Sequence, residues 1–472
     1  MGLPDVTVNI SDGGLGILPA SSTGILAKVG VSSSGEVNQI IPITDHGQIT
    51  NAFGTGPLAD ALADSFMVAG TCTVYAVRAA SDIVGTNGAI TSTKTGTGTL
   101  TVAGEPLDQY DVVVQIIDGG RKNSATFQYS LDKGNTFSGK ITVPATGDYL
   151  IARTGMTLTF AEGVTDPVDS FLAGDSHVFS TTAPSASVTS INAAIDVLLQ
   201  TNLTYEGIHI VGPSQPSLWA ALSARALEAE SKFRYLYIVA EARGPLAAET
   251  VDAWATAIID DADDFADTRV SIVAGRLEIS DLLSGRTIER NGAGVYTGRI
   301  AQLKVMESAG KVIIGSLSGV VSNRPSGIND GHILALDEAR FVTFRQYEGL
   351  NGIYITDGRM MAEDISDFRY IELRRVMDKA CRNCRMAALR FVQAEASTEG
   401  IDALEAFLQQ PLNIMIGDKE ITAGRISIPK NQDILATSML KAKIRIQPVG
   451  IMRDIELDIG FENPFATGGS GA

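Results

Sequence analysis

The chain has 472 residues, 44% of them hydrophobic and 19% charged, with a formal net charge of −17. That length implies roughly two to four domains with a large buried core, and the composition excludes a disordered chain. The acidic balance argues against nonspecific binding to nucleic acid or to an anionic membrane, and three cysteines argue against a disulfide scaffold.

No run approaches the ~18 apolar residues that span a bilayer. The opening Met-Gly-Leu-Pro-Asp lacks a basic region before an apolar stretch, so no secretory leader is expected, and Val6 stands where a myristoylation site needs Ser or Thr. Residues 5–10 alternate, with Val6, Val8 and Ile10 on one face, and a Gly-rich run at 11–16 follows. Period-two alternation is the mark of a half-buried strand.

Residues 23–83 read as an α/β unit: a strand at Ile25–Val31, a helix from Pro57 to Val68 stopped by Gly70, and a strand at Thr73–Arg78. From 84 to 183 Thr and Gly dominate and short β runs recur, at Leu100–Val102, Asp111–Ile117, Ala125–Ser130, Lys140–Val143 and Met156–Phe160. This predicts an all-β domain inserted at an exposed loop.

Alternation of strand and helix resumes in 184–330 and implies a mostly parallel sheet covered by helices. The strands are Gly207–Val211, Tyr235–Ala240, Val270–Ala274 and Lys311–Ile314; the helices are Pro216–Ser231, Glu249–Asp267 and Tyr296–Ser308. Residues 331–440 then predict a short helix, strands Phe341–Tyr347 and Gly352–Thr356, a long helix Ile365–Val392 and a helix Thr398–Leu408 that ends at Pro411. Residues 441–472 alternate again, through Ile444, Ile446, Ile451, Ile455, Leu457 and Ile459, into a Gly-rich tail. From the pattern alone both terminal arms read first as edge strands of the parent fold. On loose tethers they can equally pair with a neighbour's sheet edge and stitch subunits together.

The fold class is therefore α/β (α+β overall): a layered α/β core with a mixed sheet, an inserted all-β domain, and extended N- and C-terminal β arms. The division is 1–22 for the N-terminal arm and linker, 23–83 with 184–330 for the body, 84–183 for the insertion, 331–440 for the part with the long helix, and 441–472 for the C-terminal arm and tail.

Candidate chemistry falls away on inspection. Gly134 to Lys140 has P-loop spacing, but Ile141 follows where Ser or Thr would hold magnesium, and a strand follows where a helix is needed. Cys381 and Cys384 form a lone CxxC on one helix face and continue its apolar stripe, so they read as core residues. The run Asp260, Asp261, Asp263, Asp264 lacks the Gly and distal Glu of a calcium loop and reads as a solvated face. His46, His177, His209 and His332 are scattered, and there is no Gly-x-Ser-x-Gly elbow. No catalytic residue, cofactor or metal is expected. The long helix is different. From Ile365 to Arg390 it carries Arg369, Arg374, Arg375, Lys379, Arg382, Arg385 and Arg390 against Asp367, Glu372 and Asp378, a net +4 in an acidic chain. Either it meets a partner of opposite sign or it pairs with the protein's own carboxylates.

Three blocks resemble the tail sheath proteins of contractile-tailed bacteriophages and related injection machines. They are Thr23–Arg78, with Gly24-Ile-Leu-Ala-Lys-Val-Gly30 and Phe53-Gly54; Phe341–Val392, where Glu348-Gly-Leu-Asn-Gly-Ile-Tyr-Ile-Thr-Asp-Gly-Arg359 precedes Asp367–Lys379; and the arm Lys441–Phe461. Phe127–Gly134 is more weakly similar to the β insertion of some sheaths. The resemblance implies a structural protein, not an enzyme. It implies hexameric rings of this chain stacked around a tail tube, linked by terminal-arm strands, that contract without nucleotide. Its partners would be further copies, the tube, and baseplate and terminator proteins, in a virion tail assembled in the host cytoplasm; residues 84–183 would face outward and the basic helix could face the tube. The competing readings are an α/β ligand-binding enzyme with a β accessory domain, a phage-derived bacteriocin or other injector, and a tube or shell protein.

Overall fold

The computed structural model describes residues 23–165, 167–429 and 431–461. Its centre is a six-stranded sheet of β1 (Leu26–Gly30), β2 (Ile40–Ile43), β3 (Val74–Arg78), β4 (Gly207–Ser214), β5 (Tyr237–Ala242) and β6 (Val270–Val273), in the order β6-β5-β4-β1-β3-β2. All neighbours are parallel except β2, which closes one edge antiparallel to β3. Every residue of β1, β5 and β6 is buried, as expected where helices cover both faces.

The pleat divides the strand residues between two layers. Ala27, Val29, Ile208, Ile238, Ala240 and Ile272 pack against α2 (Val188–Gln200), α3 (Pro216–Ser231) and α4 (Val251–Ala262) through Leu198, Trp219 and Trp254. Leu26, Tyr237, Val239 and Val273 face the other way and meet α5 (Ala293–Gln302). Beside α5 lies α1 (Pro57–Ala69), which Gly70 terminates at φ +70°. The two helices approach closely because α5 carries glycines at 294 and 298. A Cβ on Gly298 would stand 2.8 Å from the Ser65 backbone, and one on Gly294 2.7 Å from the Asp64 side chain. Ser65 Oγ donates to the Gly294 carbonyl at 2.8 Å.

Between β3 and α2 the chain forms two antiparallel sheets. One pairs Thr99–Ala103, Met156–Ala161 and Asp148–Ile151; the other runs through Thr91–Thr93, Ser176–Ser180, Asp111–Asp118, Thr126–Ser130 and Ile141–Thr142. They share a core of their own, with Val112, Val114, Ile116, Phe127, Leu158 and Phe160 fully or almost fully buried.

Several expectations need correction. The helix at Tyr296–Ser308 ends at Gln302, and the strand at Lys311–Ile314 is a single 3-10 turn, Val312–Ile314. The sequence reading misses α2 and a three-stranded antiparallel sheet of β7 (Arg276–Ser280), β8 (Thr287–Asn291) and β9 (Val320–Arg324). The short helix α6 (Asp330–Glu338) follows, then two-residue strands at Phe344–Arg345 and Tyr354–Ile355 where longer ones are expected. The long helix α7 is Ile371–Leu389, shorter at both ends. The next helix, α8 (Thr398–Gly417), runs straight through Pro411. Leu412 and Met415 beyond the proline are 0% and 1% exposed, and their burial outweighs the cost of the missing N–H.

Candidate assembly interface at the C-terminal arm

The last described elements are β10 (Ile421–Ser427) and β11 (Lys443–Pro448), paired antiparallel as a sheet of two strands. This sheet lies on α7 and α8. Val376, Ala380, Cys384, Leu408, Leu412 and Ile421 form the buried centre, and Ile444 and Ile446 are half-buried against it. The arm predicted from residue 441 is thus split at Pro448. Its first part is a strand of its own chain, and its second part, 449–461, has no regular secondary structure.

That second part exposes what the alternation marked. Ile455, Leu457 and Ile459 are 73%, 74% and 86% exposed, while Ile451 is half-buried. Ile455, Leu457, Ile459 and Phe461 sit at odd positions, so in an extended conformation they share one face. Val6, Val8 and Ile10 lie outside the described residues.

One side chain ties this segment down. Arg453 donates from Nε to Asp357 Oδ2 at 2.6 Å, bonds Glu372, and stacks its guanidinium 3.3 Å from the Tyr370 ring centroid. Glu372 is 1% exposed, and its second carboxylate oxygen has no hydrogen-bond partner. Burial, with the Asp357 charge adding to it, pushes Glu372 up to about 7, against the pull of Arg453. The sequence reading missed this seat. Its signal is that Arg453 is the lone basic residue between Arg445 and Ala472, set among Asp454, Glu456 and Asp458.

The basic helix turns mostly inward. Arg375 donates from Nε to Glu206 at 3.0 Å and from its terminal nitrogens to the carbonyls of Leu303 and Lys304. Arg374 pairs with Asp378 at 2.6 Å and lies over the Phe368 ring. Asp378 also takes Arg269 at 3.1 Å. Lys379 reaches Glu420, Arg382 the Tyr235 carbonyl, Arg385 the Phe233 ring and Arg369 the Tyr370 ring. Arg374 and Arg375, 6% and 2% exposed, are interior residues, where charge pattern alone allowed a partner-facing surface.

The candidate chemical motifs take structural places. Gly134 to Lys140 is the connection between two antiparallel strands, where Asp132 accepts from Thr136. Cys381 and Cys384 are free thiols, pushed up by burial. The buried polar groups nearest to a catalytic arrangement are Lys28, His209 and Glu241. Lys28 Nζ lies 2.8 Å from His209 Nδ1 and 2.8 Å from Thr297 Oγ1, and His209 Nε2 lies 2.9 Å from Glu241. Burial lowers Lys28 to about 7 and raises Glu241 to about 7. Lys28 and His209 are both 0% exposed, so this network joins β1, β4, β5 and α5 without opening to a substrate. Among the described residues no group of His, Cys, Asp and Glu could hold a metal, and no helix is long and apolar enough to cross a membrane.

Known proteins place this fold. A protein of Haemophilus phage HP1 assigned as a tail sheath protein is 26% identical over 208 residues, which cover 40% of this chain and 54% of that protein. The match thus spans about half the length of that relative. The sheath tail protein of Desulfitobacterium hafniense superposes with a TM-score of 0.51 at 13% identity, over 94% of this chain and all of that one. The contracted sheath of the PVC extracellular contractile injection system gives 0.57 at 12% identity, over 98% of each chain. The contracted helical sheath of the anti-feeding prophage gives 0.56 at 10%, over 98% of this chain and all of the other. The fold is that of the sheath proteins of contractile tails and injection systems, and these relatives are structural components rather than enzymes. Residues 3–359 match the DUF2586 N-terminal domain and residues 367–466 the DUF2586 C-terminal domain, and the chain belongs to the DUF2586 family.

Proposed function

We propose that this chain is the structural subunit of a contractile tail sheath. It polymerises as stacked hexameric rings around a tail tube, in contact with baseplate and terminator proteins, in a virion tail assembled in the host cytoplasm. The observation that carries the reading is the unpartnered alternating face after Pro448 on a fold shared over nearly the whole chain with a contracted sheath. The phage relative favours a virion tail, and the injection-system neighbours keep a phage-derived injector as the second reading.

In this reading each arm adds a strand to a neighbour's sheet, and the two-strand sheet of β10 and β11 offers the open edges. Each backbone hydrogen bond so formed contributes a net ~0.5–1.5 kcal/mol, and several links per ring make them hard to lose together. Contraction repacks rigid subunits from a metastable extended state into a lower one while the strand links persist, so no nucleotide is needed. The β insertion at 84–183 lies on the outer surface.

The test is to express the full chain alone and view it by negative-stain electron microscopy. Hollow regular tubules are expected. Deleting residues 1–12 should abolish them and leave a folded monomer. Monomers from the full chain in the presence of a tube would overturn the sheath reading, and normal tubules from the deletion would overturn strand exchange.

A further inference from the structure

We propose that Arg453 is the pivot of the C-terminal arm: it stays seated on Asp357, Glu372 and Tyr370 of its own subunit while the residues after it reach a second copy of this chain. The inference rests on the sheath reading and deepens it.

The segment 449–461 is divided by how it is held. Arg453 has two carboxylates and an aromatic ring; of the described residues after Pro448 it is the one whose side chain is hydrogen-bonded. Beyond it Ile455, Leu457, Ile459 and Phe461 are all exposed. Moving those apolar groups onto a partner removes nothing from the parent subunit and takes apolar surface out of water. Lifting Arg453 is different. It would strip the counter-charge from Glu372, which is buried next to Asp357 at the start of α7. Breaking a buried pair by removing one partner is strongly unfavourable because a buried charge is left uncompensated. The planar guanidinium also fits this seat as a lysine would not, since it meets Asp357 through two nitrogens and stacks on Tyr370 at once. The arm therefore leaves the body at a fixed point, and Ile455, two residues on, is the first side chain it presents. A fixed root sets the register and direction of the donated strand and raises its effective concentration at the neighbour.

The competing idea is a latch, in which the seat holds the arm back until assembly releases it. A cross-link separates the two. In a Cys72→Ser, Cys381→Ser background, Tyr370→Cys and Arg453→Cys are bridged with a cleavable bis-maleimide, and tubules are counted by electron microscopy. The pivot predicts that the unbridged double cysteine assembles several-fold less than its background and that bridging restores assembly. Assembly that is blocked by the bridge and returns on cleavage would overturn it. The free subunit gives a readout independent of assembly, thermolysin cleavage at the bonds before Ile451 and Ile455, which flank the seat without having residue 453 beside the bond that is cut. Arg453→Gln should be cut about tenfold faster than the wild type, as expected when a local anchor of that strength is lost, and Arg453→Lys should fall between. Equal rates would overturn the anchor. A wild-type chain that forms no tubules with a tube present would overturn the sheath reading and the second copy as partner, while the cleavage rates still decide whether Arg453 holds the arm.

Discussion

Arg375 and Glu206 lie 169 positions apart and meet as a buried ion pair, Nε to carboxylate at 3.0 Å. The pair joins α7 to the start of β4. The same guanidinium accepts no proton and donates to the last carbonyls around α5, at Leu303 and Lys304, where a cation also suits the helix dipole. Sheet, α5 and α7 are therefore tied into one body by this residue.

Replacing Arg375 with Ala should destabilise the monomer by about 3–5 kcal/mol, because Glu206 is left buried and unpaired. Arg375→Met combined with Glu206→Leu should recover most of that loss. Urea denaturation of the two variants beside the wild type checks both statements, and an Arg375→Ala chain within 1 kcal/mol of wild type, a margin near the ~1 kcal/mol typical of any substitution, would refute the first.

Gly298→Ala tests the contact between α1 and α5. The new methyl would stand 2.8 Å from the Ser65 backbone, which cannot rotate away. A loss of about 1–3 kcal/mol from overpacking is expected, against the gain in helix propensity that alanine brings at an ordinary helical site. Thermal denaturation gives the sign directly.

These two sites show where the sequence was legible and where it was not. The strands at β1, β3 and β6 were readable from their apolar runs, and the helices α1 and α3 because apolar period agreed with Pro at the first turn of each and, for α1, with Gly70 at its end. Gly294 and Gly298 were not legible as a helix contact: the helix was expected to begin at Tyr296 but starts at Ala293, and nothing local says which element the two glycines meet. β7, β8 and β9 were missed because Arg and Glu side chains that pair across the sheet, as Arg276 does with Glu289 and Arg324 with Glu278, interrupt their apolar pattern, and only β7 has an alternating buried face. Charge on the long helix was legible as a sequence fact, and its Arg374–Asp378 pair is an i,i+4 contact within the helix; the direction of the rest was not legible, since Glu206 and Glu420 become partners only through the fold. The exposed part of the arm was marked by alternation alone, while its seat drew on Asp357, Tyr370 and Glu372, some hundred positions away.

Pro411→Ala should stabilise the protein. The proline stands inside α8, where it removes one helical hydrogen bond and crowds the preceding turn, a cost of up to about 3 kcal/mol in a helix interior. The surrounding packing has absorbed part of that, so a gain of roughly 1 kcal/mol is expected. A lower melting temperature for the variant would mean that the proline shapes a bend the two-strand sheet needs.

Lys28 makes stability depend on pH with a definite sign. Burial lowers it from 10.5 to about 7. Between those values the unfolded chain binds the extra proton, so stability rises with pH across the window. Glu241 and Asp64, both raised to about 7 by burial, act below that window with the opposite sign. In Lys28→Met the rise above pH 7 should be smaller by a few kcal/mol than in the wild type. Denaturation midpoints from pH 7 to 10 measure it, and parallel curves would mean that Lys28 keeps its proton in the folded chain.

Leu457→Glu and Ile459→Glu separate folding from assembly. Both side chains are about three-quarters or more exposed, at 74% and 86%, so the monomer should keep its stability within about 0.5 kcal/mol, as surface substitutions do. In a sheath they would carry a charge onto the apolar face of a donated strand, where an unpaired buried carboxylate is strongly disfavoured. Tubules should be lost in either variant while circular dichroism and melting stay unchanged. The neighbouring Glu456→Gln, on the opposite face of an extended strand, should assemble as the wild type does. Equal assembly by all three would mean that this face is not the one a neighbour covers, and loss of folding in the first two would mean that the segment packs on its own subunit after all.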